Sequence, residues 1–170
     1  MKRAVSIAVA LILMAGGAAA AQQASATASV SWQVLPFALI SLRGQGAGDS
    51  VQATTAIPTP SDADLARGQL TIPRAATLHV VSNANWTVLV QALDRKLGTS
   101  HAGDFTWPLR GNLRVDAGWE RVMVSARPQA LASGGRGEHV LAVDYILSLP
   151  HAGLPAGDYQ VTLLYTVTVD

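Results

Sequence analysis

The side chains that could ligate a metal or act as a base are four histidines, His79, His101, His139 and His151. They stand far apart, and none occupies the H-x-H or H-E-x-x-H spacing by which zinc sites are built. His79 and His139 fall within strand-like stretches, where a solvent-facing or hydrogen-bonded imidazole is the expected role. Serine nucleophiles are available at Ser41, Ser50, Ser82, Ser100, Ser125, Ser133 and Ser148, yet no G-x-S-x-G elbow presents one to a base. Asp62 and Asp64 are close in sequence, but no second acidic cluster accompanies them to divide acid and base roles. With no cysteine in the chain, thiolate chemistry and disulfides are excluded. The expectation is a non-catalytic protein that needs neither metal nor cofactor.

The tryptophans offer binding chemistry instead, because a flat aromatic face stacks on a sugar ring or a peptide. Trp32 and Trp86 lie in phase with apolar strand positions and are expected in the core. Trp107, followed by Pro108 in a connection, and Trp119, at the start of a strand, are expected to be exposed. They are the candidate contacts for a glycan or peptide ligand.

These residues need a scaffold, and its clearest part is the C-terminal stretch. From Tyr159 the odd positions read Tyr159, Val161, Leu163, Tyr165, Val167 and Val169, while most even ones are polar. That is the period of a strand with one buried face. Pro155 and Gly157 supply the turn before it. At about 3.4 Å per residue it spans roughly 40 Å, so it needs neighbours along its whole length.

The chain begins with a different signal. Lys2 and Arg3, the apolar run from Ala4 to Ala15 and Ala19-Ala20-Ala21 together form the pattern of a cleaved signal peptide over residues 1–21; Ala24-Ser25-Ala26 is a second cleavage choice. The apolar run is too short to span a bilayer, so no stable membrane span is expected. Removing Lys2 and Arg3 leaves 10 basic against 11 acidic residues and a formal charge of −1. The charges are scattered, which removes the footprint of nucleic-acid binding. The mature chain, 22–170, is expected to be one exported domain in the periplasm, at the cell surface or secreted.

Along it, Val30, Trp32 and Val34 alternate as a first strand that Pro36 interrupts. Residues 44–64 read as a loop with a short strand near Val51 to Thr55. Leu70 to Ile72 is a short strand before Pro73. Ala76 to Val80 and Trp86 to Val90, joined at Ser82-Asn83-Ala84-Asn85, read as a hairpin. Asp94 to Trp107 reads as a long connection. Leu113 to Asp116, Trp119 to Ala126, and His139 to Leu149 complete about seven or eight short strands with no amphipathic helix. The expected fold is an all-β, immunoglobulin-like antiparallel sandwich, with a small closed barrel as the alternative.

At Ser82 to Val90 and from Pro155-Ala156-Gly157-Asp158-Tyr159 through Val169, the chain resembles exported bacterial β-sandwich proteins of the pilin and spore-coat-U class. Surface proteins of the WxL class are looser relatives. Gly157 stands 14 places from the end, where pilins carry a glycine; the penultimate residue is Val169 where they have an aromatic. The resemblance implies a structural or adhesive subunit of a pilus or fimbria. Its partners would be other subunits or a periplasmic chaperone joined by strand pairing, with Gly157, Tyr159, Val161, Leu163, Tyr165 and Val167 as the assembly strand. Gln22 to Ser29 is too small and polar to act as a donated strand, and Val30 to Ile40 could donate only if it were not a core strand. The alternatives are a glycan- or peptide-binding module and, third, a periplasmic enzyme.

Overall fold

The computed structural model describes residues 31–43, 45–118, 120–151 and 153–169. The expected signal peptide and Trp119 lie outside these. The chain divides into the compact units Met1–Gln33 and Val34–Asp170; only residues 31–33 of the first are described.

The second unit is all-β apart from one short helix. Its strands are β1 (Ala38–Leu42), β2 (Ala47–Gly48), β3 (Ser50–Ala56), β4 (Gln69–Ser82), β5 (Trp86–Ala92), β6 (Lys96–Ser100), β7 (Thr106–Pro108), β8 (Leu113–Asp116), β9 (Arg121–Met123), β10 (Gln129–Gly134), β11 (Gly137–Ser148) and β12 (Gly157–Val169). One antiparallel sheet runs β2-β1-β4-β11-β8-β9. The other runs β10-β5-β12-β6-β7, with β3 added to β12. The two sheets pack as an open sandwich rather than a closed barrel, and each strand's apolar phase points into the shared core. Ile40 and Leu42, Leu78 and Val80, Leu141, Val143, Tyr145 and Leu147 come from the first sheet. Trp86, Val88 and Val90 meet them from the second, with Val161, Leu163, Tyr165 and Val167.

β12 holds this arrangement together. Along one edge it pairs with β5 (Leu163↔Ala92 to Val169↔Trp86) and then β6 (Gly157↔Ser100 to Tyr159↔Gly98). Along the other it pairs with β3, from Gln160↔Ala56 to Thr166↔Ser50. The strand between Val51 and Thr55 expected in the Ala/Thr-rich loop is therefore real, and its place is beside the C-terminal strand.

Several expectations are corrected. Residues 31–37 form no strand; β1 starts at Ala38, beyond Pro36. Asn83 holds that approach instead, accepting from the Phe37 amide at 2.7 Å and donating to the Leu35 carbonyl at 3.0 Å. Trp32 is 82% exposed and is not a core residue. The expected hairpin between β4 and β5 is an arch: the two strands belong to different sheets and face each other across the core. Ser82 turns the chain there, its hydroxyl bonded to Phe37 and Ala84 backbone atoms. β4 is one strand that passes through Pro73, with a register shift opposite, between Val143 and Tyr145. The connection from Asp94 to Trp107 contains β6 and reaches into β7. These additions, with β2 and β10, bring the described strands to twelve rather than seven or eight, while β9 falls within the strand expected from Trp119 to Ala126.

The helix, α1 (Asp62–Arg67), forms because Ser61 and Asp64 make a capping box and Gly68 closes its end in the left-handed region. Asp64 accepts from the Ser61 amide at 2.9 Å and from its hydroxyl at 2.6 Å. Those bonds lower its carboxyl below the usual range, assisted by Arg67. The acidic pair is thus spent on a helix end. No helix among the described residues is long and apolar enough to cross a membrane.

Candidate functional site

A cleft of about 820 Å³ lies where β12 begins, between the end of β3 and the strand β6. Two glycines allow the strands to meet there. Gly98, at φ 151°, has no room for a side chain, because a Cβ would run into the Asp158 carbonyl and Tyr159. A Cβ on Gly157 would lie 2.5 Å from the Thr99 carbonyl oxygen and 2.7 Å from the Ser100 Cα. The glycine singled out by the turn before the last strand is therefore required by close backbone approach.

Tyr159 follows on the same strand and lines the cleft. Its ring meets Trp107 edge to face, with centroids 5.8 Å apart and planes at 81°. Its hydroxyl donates to the Pro155 carbonyl at 2.9 Å, tying the ring to the preceding turn. Desolvation, and then the negative charge of Asp104, raise this phenol above its ordinary pKa. Trp107 itself is 1% exposed, so its expected surface position is corrected. Its apolar ring fills the core behind Tyr159, and Pro108 is the exposed neighbour on β7. The structure brings Trp107, Gly157 and Tyr159 together as wall and support of one cleft.

Around the mouth, His101 Nε2 lies 3.5 Å from Asp158 Oδ2, and Lys96 Nζ donates to Thr99 Oγ1 at 3.2 Å. Asp94 adds a second carboxylate. Lys96 faces the two carboxylates, and His101, hydroxyls and backbone groups lie between them. This suits hydrogen bonding to a polar ligand. Ser100 is beside His101 but serves the turn: its hydroxyl donates to Asp104 Oδ1 at 2.6 Å and accepts from the Phe105 amide at 3.1 Å. Among the described residues no three His, Asp or Glu side chains gather as a metal site. The remaining histidines occupy separate places. His139 contacts the Gly135 carbonyl at 3.0 Å and packs edge-on against Trp86, and His79 is half-buried on β4.

The other residues of the expected assembly strand, Val161, Leu163, Tyr165 and Val167, face the core. Tyr165 meets Tyr145 from the opposite sheet, hydroxyl to hydroxyl at 3.0 Å. Burial drives both phenols above their ordinary pKa, Tyr165 the more strongly. Both edges of β12 are occupied by strands of its own chain.

A second surface feature lies on the first sheet. Val34, Leu35, Phe37 and Leu39 are exposed along the approach to β1 and into it. Leu39 pairs with Val81, and Val140 stands opposite His79, so Leu39, Val81 and Val140 share the sheet's outer face at 43, 43 and 60% exposure. The run Val34-Leu35-Pro36-Phe37 carried the signal in the sequence. Three apolar residues around a proline look like an interrupted core strand, and the structure leaves them outside. No protein-family model, no curated protein and no solved structure matches the chain.

Proposed function

We propose that this is a non-catalytic extracytoplasmic protein with a structural or adhesive role at the cell surface, a subunit of the pilin and spore-coat-U kind. The observation that carries the reading is the apolar margin of the first sheet: Val34, Leu35, Phe37, Leu39, Val81 and Val140, exposed and adjoining. Contiguous apolar surface of this sort marks a face that another surface covers. The sheet order supports an immunoglobulin-like arrangement, with β1-β4-β11-β8 on one side and β3-β12-β5-β10 on the other. Strand pairing with another subunit or a chaperone would use either the edge of β1 beyond its two-residue contact with β2, or the place β3 holds beside β12. In this reading residues 1–21 are the export signal.

The test joins location to assembly. Cells expressing the full chain are fractionated, and the exported protein is followed by sedimentation across a concentration series. The expected result is a shortened chain outside the cytoplasm that self-associates, and a Phe37→Ser, Val140→Ser variant that melts like the parent but stays monomeric and no longer adheres to cells. Cytoplasmic retention, or adhesion and association unchanged in the variant, would overturn the proposal. The cleft at Tyr159 supports the glycan- or peptide-binding alternative, and Lys96→Ala measures its contribution to any binding found.

A further inference from the structure

The geometry points to an oxyanion-binding site in a second cleft, with an acidic sugar unit as the ligand. The cleft, of about 380 Å³, opens on the flank of the sandwich between the edge of β3 and the stretch of β4 that follows Pro73. Arg43 and Arg74 both line it, with Gln45, Thr54, Thr55 and Thr77. No aspartate or glutamate is among its walls, in contrast to the cleft at Tyr159, which holds Asp94 and Asp158. Two guanidiniums with neutral hydroxyl and amide groups between them are the chemistry that receives a carboxylate, sulfate or phosphate.

The backbone gives an independent reason. Arg74 is the one non-glycine residue at positive φ among the described residues, at 50°. A side chain is costly in that region, and such outliers persist where the surroundings hold them, often at binding sites. Here they do hold it. Pro73 has no N–H to give the ladder, and the Arg74 amide leaves it to donate to Asp144 Oδ1 at 2.7 Å. The partner strand slips its register opposite, between Val143 and Tyr145. Glycine would meet the same backbone requirement without strain, yet the chain places an arginine there. Arg43 is fixed from the other side, its amide donating to the Thr77 carbonyl at 3.2 Å. Neither guanidinium has a carboxylate within ion-pair distance among the described residues.

The preference for a sugar follows from the walls. The hydroxyls and the Gln45 amide beside the arginines can serve ring hydroxyls; the apolar part of the wall is Leu42 and the small Ala53, Ala75 and Ala76, with no aromatic ring on which a nucleobase could stack. The site is separate from the cleft at Tyr159 and does not rest on the surface role proposed above.

The test uses the full chain, titrated with sodium sulfate, D-galacturonate and D-galactose at constant ionic strength and followed by amide NMR. Saturable shifts at the Arg43, Arg74 and Thr77 amides are expected with the two anions and none with galactose. Arg74→Gly keeps the amide and relieves the positive φ, so it should melt no lower than the parent while binding falls by about tenfold or more, the loss of one charge-assisted fork. Arg43→Gln should weaken binding likewise. Saturation by galacturonate assigns the acidic sugar. Saturation by sulfate alone overturns the sugar as ligand. The absence of saturable shifts, or binding unchanged in both variants, overturns the site itself.

Discussion

Removing both hydroxyls of the tyrosine pair should cost less than the sum of removing each alone. Tyr145 on β11 and Tyr165 on β12 are fully buried, and their hydroxyls meet at 3.0 Å between the two sheets. Tyr145→Phe leaves the Tyr165 hydroxyl in an apolar core without its partner, a loss of about 1–3 kcal/mol. Tyr165→Phe strands the Tyr145 hydroxyl in the same way and should cost a similar amount, about 1–3 kcal/mol. With both hydroxyls gone nothing polar is stranded, so the double variant should be less destabilised than the sum of the singles. The difference, about 1 kcal/mol or more, is the coupling between two groups in direct contact. Urea unfolding followed by the fluorescence of the buried Trp86 and Trp107 measures all three variants. At this size 1 kcal/mol moves the melting midpoint by about 3–5 °C, well within resolution. Single-variant effects that add within a few tenths of a kcal/mol would refute the bridge. So would a neutral Tyr145→Phe.

The same pair predicts an alkaline limit. Its folded pKa values are raised, so the native state keeps protons that the unfolded chain loses near pH 10, and stability should fall as pH rises above about 10. The double variant Tyr145→Phe, Tyr165→Phe should flatten that fall in a series of denaturant melts, and an unchanged slope would contradict the assignment. Gly157→Ala places a Cβ against backbone atoms of Thr99 and Ser100, so it should cost about 1–3 kcal/mol. Its amide shifts should concentrate in β6; a stable variant with β6 unmoved would show that the close approach is not needed.

Much of the fold was legible because burial leaves a period-2 trace in the residues themselves. Leu78 and Val80, Trp86, Val88 and Val90, and the odd positions of β12 from Val161 to Val167 face the core as their alternation requires. Trp32 shared that phase and is exposed, since alternation describes what a strand would bury only where a neighbour exists to pair with it. The short strands β6 and β7 were hidden for a related reason. Leu97 and Trp107 are their buried anchors; Leu97 is isolated among Arg95, Lys96, Gly98 and Thr99, and Trp107 stands between Phe105 and Leu109 in a three-residue strand that ends at Pro108. The cleft at Tyr159 was half visible. Gly157 and Tyr159 announced a turn into a strand, but the walls at Asp94, Lys96 and His101 come from a segment that only the fold brings alongside.

The arch between β4 and β5 shows where such reading stops and what could extend it. A hairpin and an arch bury the same inward residues, so periodicity reports the face of a strand and is silent about its partner. The difference lies in the connection. A hairpin keeps both strands in one sheet, and its turn residues need not enter the core. An arch carries the chain over the core's edge, and a residue in the inward phase must then turn while buried. Ser82 occupies that position at 5% exposure, and its hydroxyl supplies the bonds the turning backbone lacks. A serine in the last inward position of an apolar strand, followed by an asparagine that ties down a neighbouring segment, thus favours crossing between sheets. The return from β10 to β11 through Gly134, Gly135 and Arg136 also crosses. The chain changes sheet again from β7 to β8, from β9 to β10 and from β11 to β12, so that β5, β10 and β12 lie together in the second sheet and β12 pairs with β5. The length of β12 then has a physical cause: arriving last, it is the strand along which β3, β5 and β6 are all joined.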